Sequence, residues 1–260
     1  MKNVTSSILL LLLTQFSFSQ TKMYVHTRSN GIDSIWIAQI DSITFSIEPV
    51  PQQGLVAYYP FNGNANDESG NGNNGTVEGA TLTTDRFGNS NRAYSFNGID
   101  NLITCGNGSS LQVSGDITVA AWVVLDSSNG GTIVNKYGGS SSTDAGWLLS
   151  GRTGRIVSFD GRDGNDIYWW SGPSDSLNVN WHFVVGQRQG YVWKIYVDGA
   201  LQNDSLVGTT GSLVNAQDLR IGRQSNLPGA YFKGKIDDIR IYNRALTDYE
   251  IQVLYHEGRR

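Results

Sequence analysis

The stretch Gly234-Lys235-Ile236-Asp237-Asp238-Ile239-Arg240-Ile241-Tyr242-Asn243-Arg244-Ala245-Leu246 combines a strand, an acidic pair, a chain reversal and the approach to a helix. Its β-branched apolar residues suit a pleated, half-buried surface. Strict alternation puts Ile236, Asp238, Arg240 and Tyr242 on one face, and Asp237, Ile239 and Ile241 on the other. Ile236 then does not share a face with the other two isoleucines, so the spacing predicts a bend, or burial on both faces, near the acidic pair. Thr247 and Glu250 have the spacing of a capping box. Ile251, Leu254 and Tyr255 follow at helical intervals. A short helix is expected to close a β domain.

The composition agrees with many short strands. The chain has 260 residues, 31 of them Gly and 16% charged, with a net charge of −4. That length suits one β-sandwich. A basic patch with interleaved aromatics is missing, so nucleic acid is not the expected partner. Leucine-rich residues 8–13 are too short a run to span a bilayer and follow Lys2. They read as the core of a signal peptide over residues 1–19, with Ser17 and Ser19 before the cleavage point. The protein is therefore expected to be secreted or held at the cell surface. No cysteine stands at the cleavage point to carry a lipid. Cys105, the single cysteine, reads as a small buried hydrophobe.

Residues 20–53 form a separate leader and linker with three β-like runs, at 23–26, 34–37 and 42–47. Asn30-Gly31 is a hairpin signal between the first two. Residues 54–258 form the main domain. Leu55 to Tyr59 read as its first strand, followed by a polar Gly- and Asn-rich loop to Gly75. Residues 93–98 and 101–104 read as consecutive strands across a Gly98-Ile99-Asp100 turn. Asp116 to Leu125 is the strongest central strand, apolar on both faces, with Trp122 in the core. Asp198-Gly199 is a hairpin turn, and His182 reads as a packed, hydrogen-bonded residue.

Several of these runs resemble one family, the LamG-like jelly-roll domains of the concanavalin A-like lectin/glucanase group. The resembling motifs are the Pro60-Phe61-Asn62-Gly63 turn, the Asp67 to Asn71 loop, the strand ending Ala120-Ala121-Trp122-Val123, Trp181-His182, Tyr196-Val197-Asp198-Gly199 and the closing strand quoted above. The resemblance covers about residues 54–256. It implies an antiparallel jelly roll of two packed sheets. The Asp41 to Phe45 run resembles the end of leader modules in secreted Bacteroidota proteins. The family also implies a structural calcium between the opening turn and the closing strand. Carried over by motif, its ligands are Asp237, Asp67, and backbone oxygens of Gly63 or Asn62. The alternative reading pairs Asp237 with Arg240 or a lysine, or has it cap loop amides.

Catalysis on this fold needs two carboxylates flanking the scissile bond. Glu48, Glu68, Glu78, Glu250 and Glu257 are the glutamates, and none lies on a predicted central strand. The Glu-x-Asp-x-x-Glu strand of laminarinase-type relatives is missing. The expected function is non-catalytic recognition of an extracellular glycan or glycoprotein. The alternatives are a protein-binding adhesion module and a glycosidase with an unrecognised carboxylate pair. Aromatic faces stack on sugar rings while charged and polar groups bind hydroxyls. Tyr168, Trp169 and Trp170, with Arg162 and Asp163 close by, are the candidates, and Trp147 is a further one. Trp169 and Trp170 point to opposite strand faces. Either one is exposed, or both are buried, one in the core and one under a loop. Asp160, Asp163 and Asp166 have the wrong spacing for an EF-hand loop and read as a solvated hairpin tip or a second ion site.

Overall fold

The computed structural model describes residues 22–26, 32–36 and 49–258, apart from 127–129, 138–144, 164–167, 171–173, 175, 203–205, 208–210 and 225–228. For 22–26, 32–36, 168–170 and 206–207 it describes the backbone alone. The chain divides into two compact units, residues 1–48 and 49–260. In the first, β1 (Lys22–His26) pairs antiparallel with β2 (Ile32–Trp36), as the hairpin signal predicts. The third β-like run, at 42–47, lies outside the described residues.

The second unit opens with β3 (Leu55–Tyr59), β4 (Thr76–Glu78), β5 (Thr81–Thr83), β6 (Ala93–Asn97) and β7 (Leu102–Thr104). Its middle holds β8 (Ile117–Leu125), β9 (Gly131–Tyr137), β10 (Ala145–Arg152), β11 (Ile156–Asp163) and β12 (Tyr168–Trp170). It continues through β13 (His182–Gln189), β14 (Val192–Val197), β15 (Ala200–Leu201), β16 (Leu206–Val207) and β17 (Arg220–Ile221) to β18 (Lys233–Tyr242) and helix α1 (Asp248–His256). One sheet has the order β12-β11-β10-β9-β17-β7-β4 and the other β15-β14-β13-β8-β18-β6-β5, with β3 also on β18. The Gly98 turn therefore carries the chain from one sheet to the other.

The inner faces of the two sheets form the main core. Val119, Ala121 and Val123 of β8 meet Val134, Leu149, Val157 and Phe159 of the facing sheet. Two glycines let aromatic rings cross the gap. A Cβ on Gly161 would lie 2.3 Å from the Trp193 ring, and one on Gly186 would lie 2.3 Å from the Phe159 ring. A second core lies on the outer face of the β8–β18 sheet, where α1 covers Trp122, Phe183, Tyr196 and Tyr242. The helix starts at the predicted capping box, in which the Thr247 side chain accepts from the Glu250 amide. Trp122 is core, but in this outer cluster, stacked on Tyr255.

The closing strand departs from strict alternation. Asp237 pairs with Trp122 and Arg240 with Ala120, so two residues of β18 stand opposite Ala121. Asp238 has φ of 51°. This bulge resets the parity, so Ile236, Ile239 and Ile241 all enter the main core. Asp237 and Arg240 instead share the outer side with Trp122 and Tyr242. The bulge falls where the neighbour of β18 changes from β6 to β3.

Candidate functional site

Period-2 alternation on β9, β10 and β11 separates two kinds of side chain. Trp147, Leu149, Val157 and Phe159 point into the core. Ser150 pairs across to Thr132 and Ser158, and Leu148 to Asn135 and Asp160, which puts those residues on the opposite, outer face. The face is polar yet well covered: Asn135, Ser158 and Asp160 are buried. Arg152 reaches over it and donates to Ser158 Oγ and to Asp160 Oδ2, each at 2.5 Å. An ion pair so placed fixes the guanidinium, because releasing it would leave a buried carboxylate without its counter-charge.

Along this face runs a groove of about 520 Å³. Tyr137, Leu148, Ser150 and Arg152 line it from the sheet, and Gln224 and Tyr231 from the β17–β18 connection. Ser150 is 6% exposed and its Oγ has no hydrogen-bond partner. Buried hydroxyls without partners are uncommon, and each calls for an explanation. Tyr231 carries the Arg223 guanidinium 4.9 Å from its ring centre. The groove thus offers aromatic surface and one unsatisfied hydroxyl in a volume that suits a small ligand.

The candidates from the sequence are distributed differently. Trp147 is 2% exposed and packs toward Phe159, so it is a core residue and not a ligand platform; its parity on β10 is that of Leu149. Asp163 is also buried, two residues beyond Gly161 on the core-side register, with Gly211 against its side chain. Arg162 is half-buried and lies on the groove-side register opposite Gly146. Tyr168, Trp169 and Trp170 form β12, opposite Arg162, Gly161 and Asp160 respectively; their side chains lie outside the described residues. Asp160 is a fully buried strand residue, not part of a solvated tip. The residues that the sequence reading passed over are Ser150, Gln224 and Tyr231. The alternation Ser158, Asp160, Arg162 against Val157, Phe159, Gly161 was the available signal for their face.

The acidic pair of β18 is held by arginines. Arg86, from the β5–β6 loop, donates to Asp237 Oδ2 at 2.8 Å and to Asp238 Oδ2 at 3.1 Å. Its guanidinium lies between the rings of Phe87 and Trp122, 4.6 and 4.7 Å from their centres. Arg240 pairs with Asp238 at 3.2 Å and with Glu257. Burial and the adjacent Asp238 push the Asp237 carboxyl up to about 7, against the pull of Arg86.

Of the implied calcium ligands, Asn62 and Asp237 line one depression of about 560 Å³, together with Asp85, Asp238 and Glu257. Asp67 does not fit. Its Oδ1 accepts from the Tyr58 and Ser69 amides, and its Oδ2 accepts from the Asn73 amide and side chain. Burial raises its carboxyl, but these hydrogen bonds prevail and hold it below the ordinary value. With four donors on it, Asp67 orders the opening loop and has no lone pair left for a metal. Asn62 Oδ1 accepts from Arg92. Among the described residues, no group of three or more His, Cys, Asp or Glu side chains converges as a metal-ligand set. His182 is packed as expected, with Nδ1 2.8 Å from Asp198 and Nε2 3.1 Å from Asn178. Cys105 is free and buried, and burial pushes its thiol up to about 12.

Two antiparallel sheets packed face to face, with a polar groove on the outside of one, define a jelly-roll sandwich. The family model described as the concanavalin A-like lectin/glucanases superfamily matches residues 96–252, and the chain belongs to that family. Among solved structures it is similar to the binding domain of Paraclostridial Mosquitocidal Protein 1, with TM-score 0.63 and 17% identity, over 79% of this chain and 52% of that one. It is also similar to domain 4 of AbnA, a GH43 extracellular arabinanase from Geobacillus stearothermophilus, in complex with arabinotriose. There the TM-score is 0.60 at 22% identity, over 77% of this chain and 98% of that one. The receptor binding domain of botulinum neurotoxin C/D mosaic serotype gives TM-score 0.63 at 18% identity, over 80% of this chain and 52% of that one. The chain thus spans about half the length of the toxin domains it matches, and at these identities the likeness is one of fold. No curated protein sequence matches the chain. Among the described residues, no helix is long and apolar enough to cross a membrane.

Proposed function

We propose that this protein is a non-catalytic, extracellular recognition module that binds carbohydrate in the groove of the β9–β10 face. The observation that carries the reading is the buried Ser150 hydroxyl without a partner, in a groove flanked by the Tyr137 and Tyr231 side chains. Gln224, Ser150 and Arg152 supply donors and acceptors for sugar hydroxyls, and the half-buried Tyr231 ring offers a stacking face. No carboxylate lines the groove among the described residues, which supports binding without glycosidic cleavage. The arabinanase domain bound to arabinotriose supports a saccharide on this fold. Tyr168, Trp169 and Trp170 of β12, the strand beside β11 in this sheet, stay in the proposed binding surface.

A soluble glycan panel tests this with the full chain. Binding to at least one glycan is expected, weakened about tenfold by Tyr231→Ala, since one aromatic contact is worth about 1.5 kcal/mol. Wild-type protein that binds no glycan, or Tyr231→Ala and Gln224→Ala variants that bind as well as wild type, would refute the reading. The second reading is a protein-binding adhesion module. It draws on a different depression, where exposed Phe87 and Val179 stand beside Trp181. Retention of a protein partner by Tyr231→Ala and its loss in Val179→Asp would favour that reading.

The proposal extends to calcium. Asp85, Asp237, Asp238 and Glu257 face Arg86 and Arg92 across one depression, with Arg240 paired to Asp238. Asp237 and the oxygens of Asn62 and Gly63 would hold the ion, which would take over from Arg86 the neutralisation of Asp237. An ion present at 100 times its Kd would add about 2.7 kcal/mol, or roughly 5–11 °C in Tm. That rise should vanish in Asp237→Ala. Melts that coincide in EDTA and in calcium would remove the ion from the proposal.

A further inference from the structure

We infer that the saccharide held in the groove is a chain long enough to reach a second subsite, the depression bordered by Phe87, Val179 and Trp181 over the outer face of the other sheet. This rests on the reading of the groove as a sugar site and adds the length of the ligand. Ser150, Gln224, Tyr231 and Lys233 form the part of the groove that the inference uses. The second depression holds about 530 Å³, close to the 520 Å³ of the groove.

Phe87 is 46% exposed and Val179 56%. Two large apolar side chains left in solvent around one depression mark a binding surface. The aromatic residues there are held in place. Asp85 Oδ1 accepts from the Phe87 and Asn89 amides, each at 2.8 Å, which fixes the turn that presents Phe87. The Arg86 guanidinium beside that ring is itself anchored on Asp237 and Asp238. Asn178 Oδ1 accepts from the Asn180 amide at 2.8 Å and lies 3.1 Å from His182 Nε2, so Trp181 sits in a fixed turn. Rings ordered before binding cost little entropy when a ligand stacks on them. Asp126, Asn180 and Lys235 add acceptors and donors for sugar hydroxyls.

β18 joins the two depressions. Lys233 borders the groove and Lys235 the second depression. They stand opposite Asn97 and Ser95 of β6, on one face of the strand. At that spacing the two borders are roughly 7 Å apart along β18. Asp126, also at the second depression, donates its amide to the Lys233 carbonyl at 3.2 Å. A few linked sugar rings cover this step, whereas a single ring occupies one depression alone. A chain already held in the groove meets the second subsite at high effective concentration.

The test is a length series. Oligomers of two, four and eight rings, of arabinose and of any sugar the glycan panel selects, are titrated against the full chain. In at least one series the longest oligomer is expected to bind about tenfold more tightly than the shortest, the worth of one further aromatic contact. Phe87→Ala should remove that gain and leave the affinity for the shortest oligomer within about twofold. Val179→Asp, at a more exposed position, should do the same. Tyr231→Ala should weaken both lengths alike. Equal affinities at all lengths would overturn the inference and leave the sugar-site reading intact. A length gain that survives in both Phe87→Ala and Val179→Asp would also overturn it, because the chain would then leave the groove by another path. Binding of no oligomer and no glycan would overturn both. The melting temperature of each variant separates lost binding from lost folding.

Discussion

Replacing Arg86 with Met should destabilise the protein by an amount that grows with pH. In the wild type, Asp237 has its carboxyl raised from 3.8 to about 7. The folded state therefore binds a proton that the unfolded state has released, and stability falls as pH rises from about 4 through about 7. Arg86 limits that fall through its contacts of 2.8 and 3.1 Å with the acidic pair. Without it, the Asp237 carboxyl moves higher still. Below about pH 7 Asp237 is protonated in both proteins, and the variant loses only the charged contact to Asp238 and the stacking on Phe87 and Trp122. That loss is about 2 kcal/mol, or roughly 4–8 °C in Tm. Above pH 7 the wild type ionises Asp237 and the variant does not, so the gap widens by about 1.4 kcal/mol per pH unit. At pH 9 it reaches about 4–5 kcal/mol. Denaturant unfolding of both proteins at half-unit intervals from pH 6 to pH 9 reads the difference directly. A difference that stays flat across this range would refute the account of Arg86 as the counter-charge of a buried carboxylate pair.

Other expectations follow from packing and charge elsewhere. Lys136 is buried, its Nζ donates to the Asn215 carbonyl at 3.0 Å, and burial pushes its ammonium down to about 8. Its unfolded form holds the proton longer, so stability should rise as pH goes from about 8 to 10.5, and Lys136→Met should flatten that rise in Tm. Gly161→Val drives a side chain into the Trp193 ring and the Gly146 carbonyl, 2.3 and 2.8 Å from its Cβ. Overpacking of this kind should cost about 2–3 kcal/mol in denaturant unfolding. Thr247→Ala removes the hydroxyl that caps the Glu250 amide and should lower stability by about 1 kcal/mol, or roughly 2–4 °C in Tm.

The sequence made the sandwich legible because its strands announce themselves. The apolar run of β8, the hairpin signal at Asp198-Gly199 and the capping box at Thr247 each depend on residues close together in the chain. The face assignments on β18 were not legible. They depend on the bulge at Asp238, and that bulge arises where two different strands meet β18 end to end, a fact about strands over a hundred residues apart. The spacing of Ile236 and Ile239 did signal that alternation breaks there, though not how. Trp147 failed as a candidate for a simpler reason. Aromatic character marks ligand platforms and cores alike, and its parity with Leu149 decides between them. Arg86 carried no local signal at all, since its partners are 151 and 152 residues away. The groove was half legible: polar residues alternate along β11, but Gln224 and Tyr231 come from a connection that no periodicity marks.

The position of β18 has a consequence for biosynthesis. It lies against β8 along one side and against β6 and then β3 along the other, so it joins parts of its sheet that have no other strand between them. Those partners leave the ribosome well before residues 233–242 do. Until then the nascent chain holds β3, β6 and β8 with unpaired edges, and the sheet exists only as fragments. Closure is thus a late event in the life of the chain, and any release or cleavage before Lys233 would leave three open strand edges facing solvent.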